Sequence, residues 1–120
     1  MERKKNEKMN EVWPGFIQAG SEEDGRSEFY SPTQKFKSGS LCVTRDAIAR
    51  LNPEDVGDAL KRHFHGDWGM VCKADADENE LSLLQDFRII SIYRDSNDIR
   101  FWIITEADRS ATTVLLPSDY

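Results

Sequence analysis

No stretch of this sequence approaches the roughly 18 consecutive apolar residues of a membrane-spanning helix, so no membrane crossing is predicted. No apolar segment follows the N-terminal charges, and no secretory signal is expected. Cysteine is scarce: Cys42 and Cys72 lie in apolar stretches without ligand partners at useful spacing. They read as buried free thiols of a cytoplasmic protein. A Gly-rich phosphate loop, a Ser-centred elbow, a CxxC pair and an HExxH helix are all missing. Those enzyme classes are excluded, and no cofactor is expected. Internal repeats and coiled-coil heptads are absent too.

What remains is enough for one domain of 120 residues, a size that can bury a core without disulfides or metal. The hydrophobic fraction of 38% is modest, so part of the chain should stay outside that core. The net charge of −6 is uneven: residues 1–10 carry +2, leaving −8 on the other 110. A folded part so acidic repels a phosphate backbone unless its basic groups cluster. Duplex DNA is therefore disfavoured, and a protein with a basic surface is the better-matched partner.

Residues 1–38 are poor in periodicity and read as a flexible N-terminal segment. Trp13, Phe16 and Ile17 form an apolar knot around Pro14-Gly15, and Gly20 to Gly25 has linker composition. The knot reads as a docking segment, a flap on the domain's own core, or plain disorder. Residues 39–120 read as a single α+β domain. Leu41 to Thr44 is a short strand, and Thr44 has N-cap chemistry for a helix from Arg45. Asn52-Pro53 opens a second helix, in which Val56, Leu60 and Phe64 make one apolar stripe. Gly66 ends it. A third helix is placed over Asp77 to Gln85, with Leu81 and Leu84 facing inward.

The rest is a run of strands. Ile89 to Tyr93, Ile99 to Thr105 and Thr112 to Leu116 are rich in β-branched and aromatic residues. Asp95-Ser96-Asn97-Asp98 and Asp108-Arg109-Ser110 supply turns between them, and Pro117 stops the last strand. The fold predicted is a small antiparallel meander sheet of three to four strands, with helices packed on one face.

Two stretches are richer in functional groups than a fold requires. In Arg62 to Gly69, the alternating His63, His65 and Asp67 could bind zinc from a strand. On a helix end, however, i and i+2 point apart, so no metal site is predicted. Asp67 and Trp68 read as a structural corner. In Thr105 to Ser110, two carboxylates, an arginine and a hydroxyl suit an acid–base site, a partner surface, or an exposed turn alone.

Three blocks stand out together: Arg62-His63-x-x-Gly66-Asp67-Trp68-Gly69, Arg88-Ile89-x-Ser91-x-Tyr93, and Ile103 to Tyr120 with its Glu106-Ala107-Asp108-Arg109-Ser110 core. As a set they resemble a family of short uncharacterised bacterial proteins carried on plasmids, phages and integrative elements, some labelled plasmid-related protein. The resemblance covers about residues 36–120, and His65 falls on a variable position. It brings no activity with it. It implies a setting: cargo of a mobile element in the bacterial cytoplasm, near host defence or element maintenance.

The leading expectation is a non-catalytic acidic binding module that docks on and modulates a host or element protein. Arg62, His63, Asp67, Trp68, Glu106, Asp108 and Arg109 are its candidate binding surface, brought together where helix end and hairpin turn meet. The alternative is a small RNA-cleaving domain of the compact toxin kind, with His63 or Asp108 as base and an arginine against the phosphate. A homo-oligomer formed through a strand edge is a third reading.

Overall fold

The computed structural model describes residues 6–13 and 28–120. Phe16, Ile17, Pro14-Gly15 and the Gly20 to Gly25 stretch lie outside the described residues. Along the chain run β1 (Asn6–Lys8), α1 (Met9–Val12), β2 (Ser40–Thr44), α2 (Arg45–Arg50), α3 (Pro53–Phe64) and α4 (Lys73–Gln85). Then come β3 (Ile89–Arg94), β4 (Arg100–Thr105), β5 (Ala111–Leu115) and a 3-10 turn at Pro117–Asp119. The α+β class and the antiparallel run β3-β4-β5 match the sequence reading.

The sheet itself differs from that reading. It has five strands in the order β1-β2-β5-β4-β3, and β2 pairs with β5 in parallel. The sheet is mixed, not an antiparallel meander throughout. The parallel pair follows from the long excursion between β2 and β5, which returns the chain beside β2 in the same direction. β1 comes from a stretch read as tail. Asn6, Glu7 and Lys8 show no apolar alternation, and the strand forms by backbone pairing to β2. Met9, just beyond it, is fully buried in the core.

Local chemistry explains the first helices. Thr44 Oγ1 accepts from Ala47 N at 3.2 Å, capping α2. Asn52 Oδ1 accepts from Glu54 N and Asp55 N at 2.9 and 3.2 Å, capping α3 ahead of Pro53. Val56, Leu60 and Phe64 pack with Leu41, Val43, Tyr93, Phe101, Ile103 and Val114 on one sheet face. Asp95 fixes the first hairpin to this layer: Oδ1 accepts from Asn97 N and Ile99 N, and Oδ2 from Asn52 N.

Helix α4 overturns two expectations. It begins at Lys73 rather than Asp77, and it lies on the sheet's edge rather than its face. Its buried residues are Asn79 and Ser82, 4% and 2% exposed, whereas Leu81 and Leu84 are 44% and 82% exposed. The reason is the neighbour it meets. β3 is an edge strand with unpaired backbone groups, which cost free energy unless bonded. Asn79 Nδ2 donates to Ile90 O at 2.8 Å, and its Oδ1 accepts from Ile90 N at 3.2 Å. Ser82 Oγ donates to Arg88 O at 3.1 Å.

The loop before α4 satisfies the next position along that edge. Ile92 N donates to Trp68 O at 3.2 Å, and Met70 N donates to Ile92 O at 2.7 Å. Gly69 permits this approach: its φ is +74°, and a Cβ would stand 2.0 Å from Ile92 O. The cysteines also correct the sequence reading. Cys42 is half-buried, with its thiol pKa raised by burial, and Cys72 is exposed at the N-cap of α4. Among the described residues no helix is long and apolar enough to cross a membrane.

Candidate functional site

His63 points inward from the last turn of α3 and is completely buried. Its Nδ1 lies 2.6 Å from Ser91 Oγ, and its Nε2 lies 2.9 Å from Thr105 Oγ1. Thr105 Oγ1 is 2.7 Å from Thr112 Oγ1, which donates to Ser38 O at 2.8 Å. Proton counting along this chain fixes the donors as far as His63 Nε2. The Ser38 carbonyl only accepts, so Thr112 spends its O–H there and accepts from Thr105. Thr105 then accepts from His63 Nε2–H, and in the neutral ring that burial favours Nδ1 accepts from Ser91. The imidazole is neutral with its proton on Nε2.

Burial holds it in that state. Desolvation, helped by the Arg109 charge, pushes the His63 pKa down to about 3. Phe36, Phe64 and Trp68 enclose the ring at centroid distances of 5.3, 5.0 and 6.0 Å. A ring so enclosed, with both nitrogens bonded, is a structural bridge between α3 and the sheet.

Arg109 is equally committed. Its side chain is only 12% exposed, and its guanidinium lies 5.6 Å above Phe36. Nη2 donates to Ser82 O at 2.7 Å and Nη1 to Phe87 O at 2.7 Å. It thereby caps the carbonyl end of α4 and the chain just beyond, where the helix dipole favours a cation. Trp68 is also buried, and its Nε1 donates to Glu80 Oε2 at 2.9 Å. Phe36 touches His63, Trp68 and Arg109 together. The two motif stretches therefore do converge, but inside the molecule.

The remaining candidates are separate surface features. Arg62 and Asp67 form a two-pronged pair at 2.8 and 3.2 Å, and Arg62 lies 4.8 Å over the Tyr93 ring. That hydrogen bond lowers the Asp67 pKa and raises that of Arg62. Asp108 is exposed, and its pKa is lowered by hydrogen bonding from Ser110, first from the side chain and then from the backbone N, which donates to Oδ1 at 3.0 Å. Glu106 is half-buried, and its backbone carbonyl accepts from Arg109 N at 2.9 Å. Asp108 and Arg109 also border a groove of about 930 Å³ with Tyr30, Lys35, Lys37 and Gly39. His65, rather than joining His63, bonds Ser31 and Thr33 hydroxyls at 3.1 and 2.9 Å. Among the described residues no group of three or more His, Cys, Asp or Glu is arranged to hold a metal ion.

The surface that sequence reasoning missed is the outer side of α4. Leu81 and Leu84 face solvent there, and Phe87, 51% exposed, follows the helix end. Asp75, Asp77 and Glu78 are exposed on the same helix, and Asp77 is paired at 3.0 Å to Lys73. A signal was present: Asn79 and Ser82 share a helical spacing just as Leu81 and Leu84 do. The stretch thus offers two faces of different chemistry, and only the neighbour decides which is buried. No family model, curated protein or solved structure matches this chain.

Proposed function

We propose that the protein is a non-catalytic acidic binding module that docks the outer side of α4 onto a basic surface of a protein partner and modulates it. The observation that carries this reading is the solvent-facing row Leu81, Leu84 and Phe87, set among the acids of the same helix. Exposed apolar groups rimmed by charge are what an interface core with a polar rim requires. The acidic rim would select a basic partner and steer its approach. The resemblance to mobile-element proteins supports a bacterial cytoplasmic setting, with a host or element enzyme of defence or nucleic-acid handling as the modulated protein. His63 gives the RNA-cleaving alternative no support, since it has no solvent access and both ring nitrogens are engaged.

The test is affinity capture from bacterial lysate, with and without nuclease treatment, using the wild type and a folded Leu81→Ser/Leu84→Ser variant. One stoichiometric protein held by the wild type and released from the variant is the expected result. Equal capture by both would remove α4 from the interface. Recovery of RNA-dependent material alone would remove the protein-docking reading itself.

A further inference from the structure

Strand register divides the sheet into two faces. Leu41, Val43, Tyr93, Phe101, Ile103 and Val114 share the face that packs on α3. On the opposite face, Ile92 stands beside Trp102, and Arg94 beside Arg100. Trp102 is half-buried in the middle of β4. Tyr120, 64% exposed, meets its ring edge-on at a centroid distance of 5.1 Å. Arg88 sits 5.7 Å from the Tyr120 ring centre and donates to its hydroxyl at 2.7 Å.

The charge on this face runs against that of the chain. Among the described strands, no position on it holds Asp or Glu, while Lys8, Arg94 and Arg100 all lie there. Asp98, in the adjoining turn, pairs with Arg94 at 3.0 Å. Asp119 accepts from Thr44 Oγ1 and Leu116 N in the 3-10 turn. Arg100 has no ion-pair partner among the described residues. The result is a stripe of cation, two aromatic rings and cation. It runs along β3 and β4 for about 20 Å, the length of six residues of strand.

We infer that the accessible strip of this face, beside the buried Ile104 and Leu115, binds single-stranded nucleic acid. Unpaired bases can stack on Trp102 and Tyr120, while Arg88 and Arg100 neutralise the backbone. A duplex keeps its bases stacked inside and would leave both rings unused. An acidic peptide would use the arginines without needing the two aromatic rings. The net charge of −6 does not forbid this, because the acids of α4 lie beyond the β3 edge and those of α3 lie on the other face. The inference concerns a surface other than the outer side of α4, so the two readings stand or fall separately.

The test is fluorescence anisotropy of labelled oligouridine and oligothymidine with the full chain at about 50 mM and about 200 mM salt. Saturable binding that weakens with salt is expected. Arg100→Glu should weaken it at least tenfold, and Trp102→Ala about tenfold. Leu84→Ser should leave it unchanged. Arg100 is exposed and carries the test even if Trp102→Ala fails to fold. Absence of saturable binding at low salt, or full affinity in Arg100→Glu, would overturn the inference. Equal binding of a duplex would overturn it in favour of diffuse electrostatics, and equal competition by polyglutamate in favour of an acidic protein.

Discussion

Helices α3 and α4, of 12 and 13 residues, bury opposite chemistry. α3 inserts Val56, Leu60 and Phe64 into the core, while α4 turns Asn79 and Ser82 inward and leaves Leu81 and Leu84 outside. The difference lies in what each helix meets. The face of a sheet presents side chains, so a helix packed on it gains by burying apolar surface. The edge of a sheet presents N–H and C=O groups, so a helix packed on it gains by supplying bonds. Amphipathicity is thus defined by the neighbour, and a leucine stripe is an inward face only where the neighbour is apolar.

The largest effect should come from the α3 side of this comparison. Phe64 is fully buried, stacked on Phe29 at 4.8 Å and packed on Phe36 at 5.2 Å. Phe64→Ala should cost about 3–5 kcal/mol in urea unfolding, and a loss near zero would refute the packing described.

His63 sharpens the comparison, being the polar exception on the inner side of α3. Its pKa is about 3 in the fold against an ordinary 6.5. Between those values the unfolded chain takes up a proton that the folded chain refuses. Stability present above pH 6.5 should therefore fall as pH drops toward about 3, with a slope on the order of 1 kcal/mol per pH unit. The carboxylates Asp55, Asp67 and Asp108, whose pKa values are also lowered, act at lower pH. The difference between wild type and His63→Gln isolates the histidine. Parallel pH profiles of the two would show that His63 titrates normally.

Much of the α3 side was legible. Asn52-Pro53 announces the helix start, the four-residue spacing of Val56, Leu60 and Phe64 gives its inner face, and the turns at Asp95 and Asp108 mark the hairpins. All of these depend on neighbours close in sequence. The illegible parts depend on distant partners. The parallel pairing of β2 with β5 joins residues about 70 positions apart, as in Leu41 with Thr112, and β1 is recruited by backbone alone.

The candidate site was legible as a set of residues, but three of them, His63, Trp68 and Arg109, turn inward instead of lining a surface. His63, Trp68 and Arg109 do gather around Phe36, yet their polar atoms are consumed by Ser91 and Thr105, by Glu80, and by the carbonyls of Ser82 and Phe87. A motif rich in functional groups looks the same in sequence whether those groups face water or bond one another. The outer side of α4 was hidden for the converse reason, since leucines at helical spacing are ordinarily core.

The most direct test of this account is the unfolding free energy of Asn79→Ala and Leu84→Ala measured side by side against the wild type. Asn79→Ala leaves both polar groups of Ile90 unpaired and should cost about 2 kcal/mol. Leu84→Ala, at an 82% exposed position, should change stability by less than about 0.5 kcal/mol. The reverse order, with Leu84 costly and Asn79 neutral, would mean that α4 packs by its leucines and that its outer side is no docking surface.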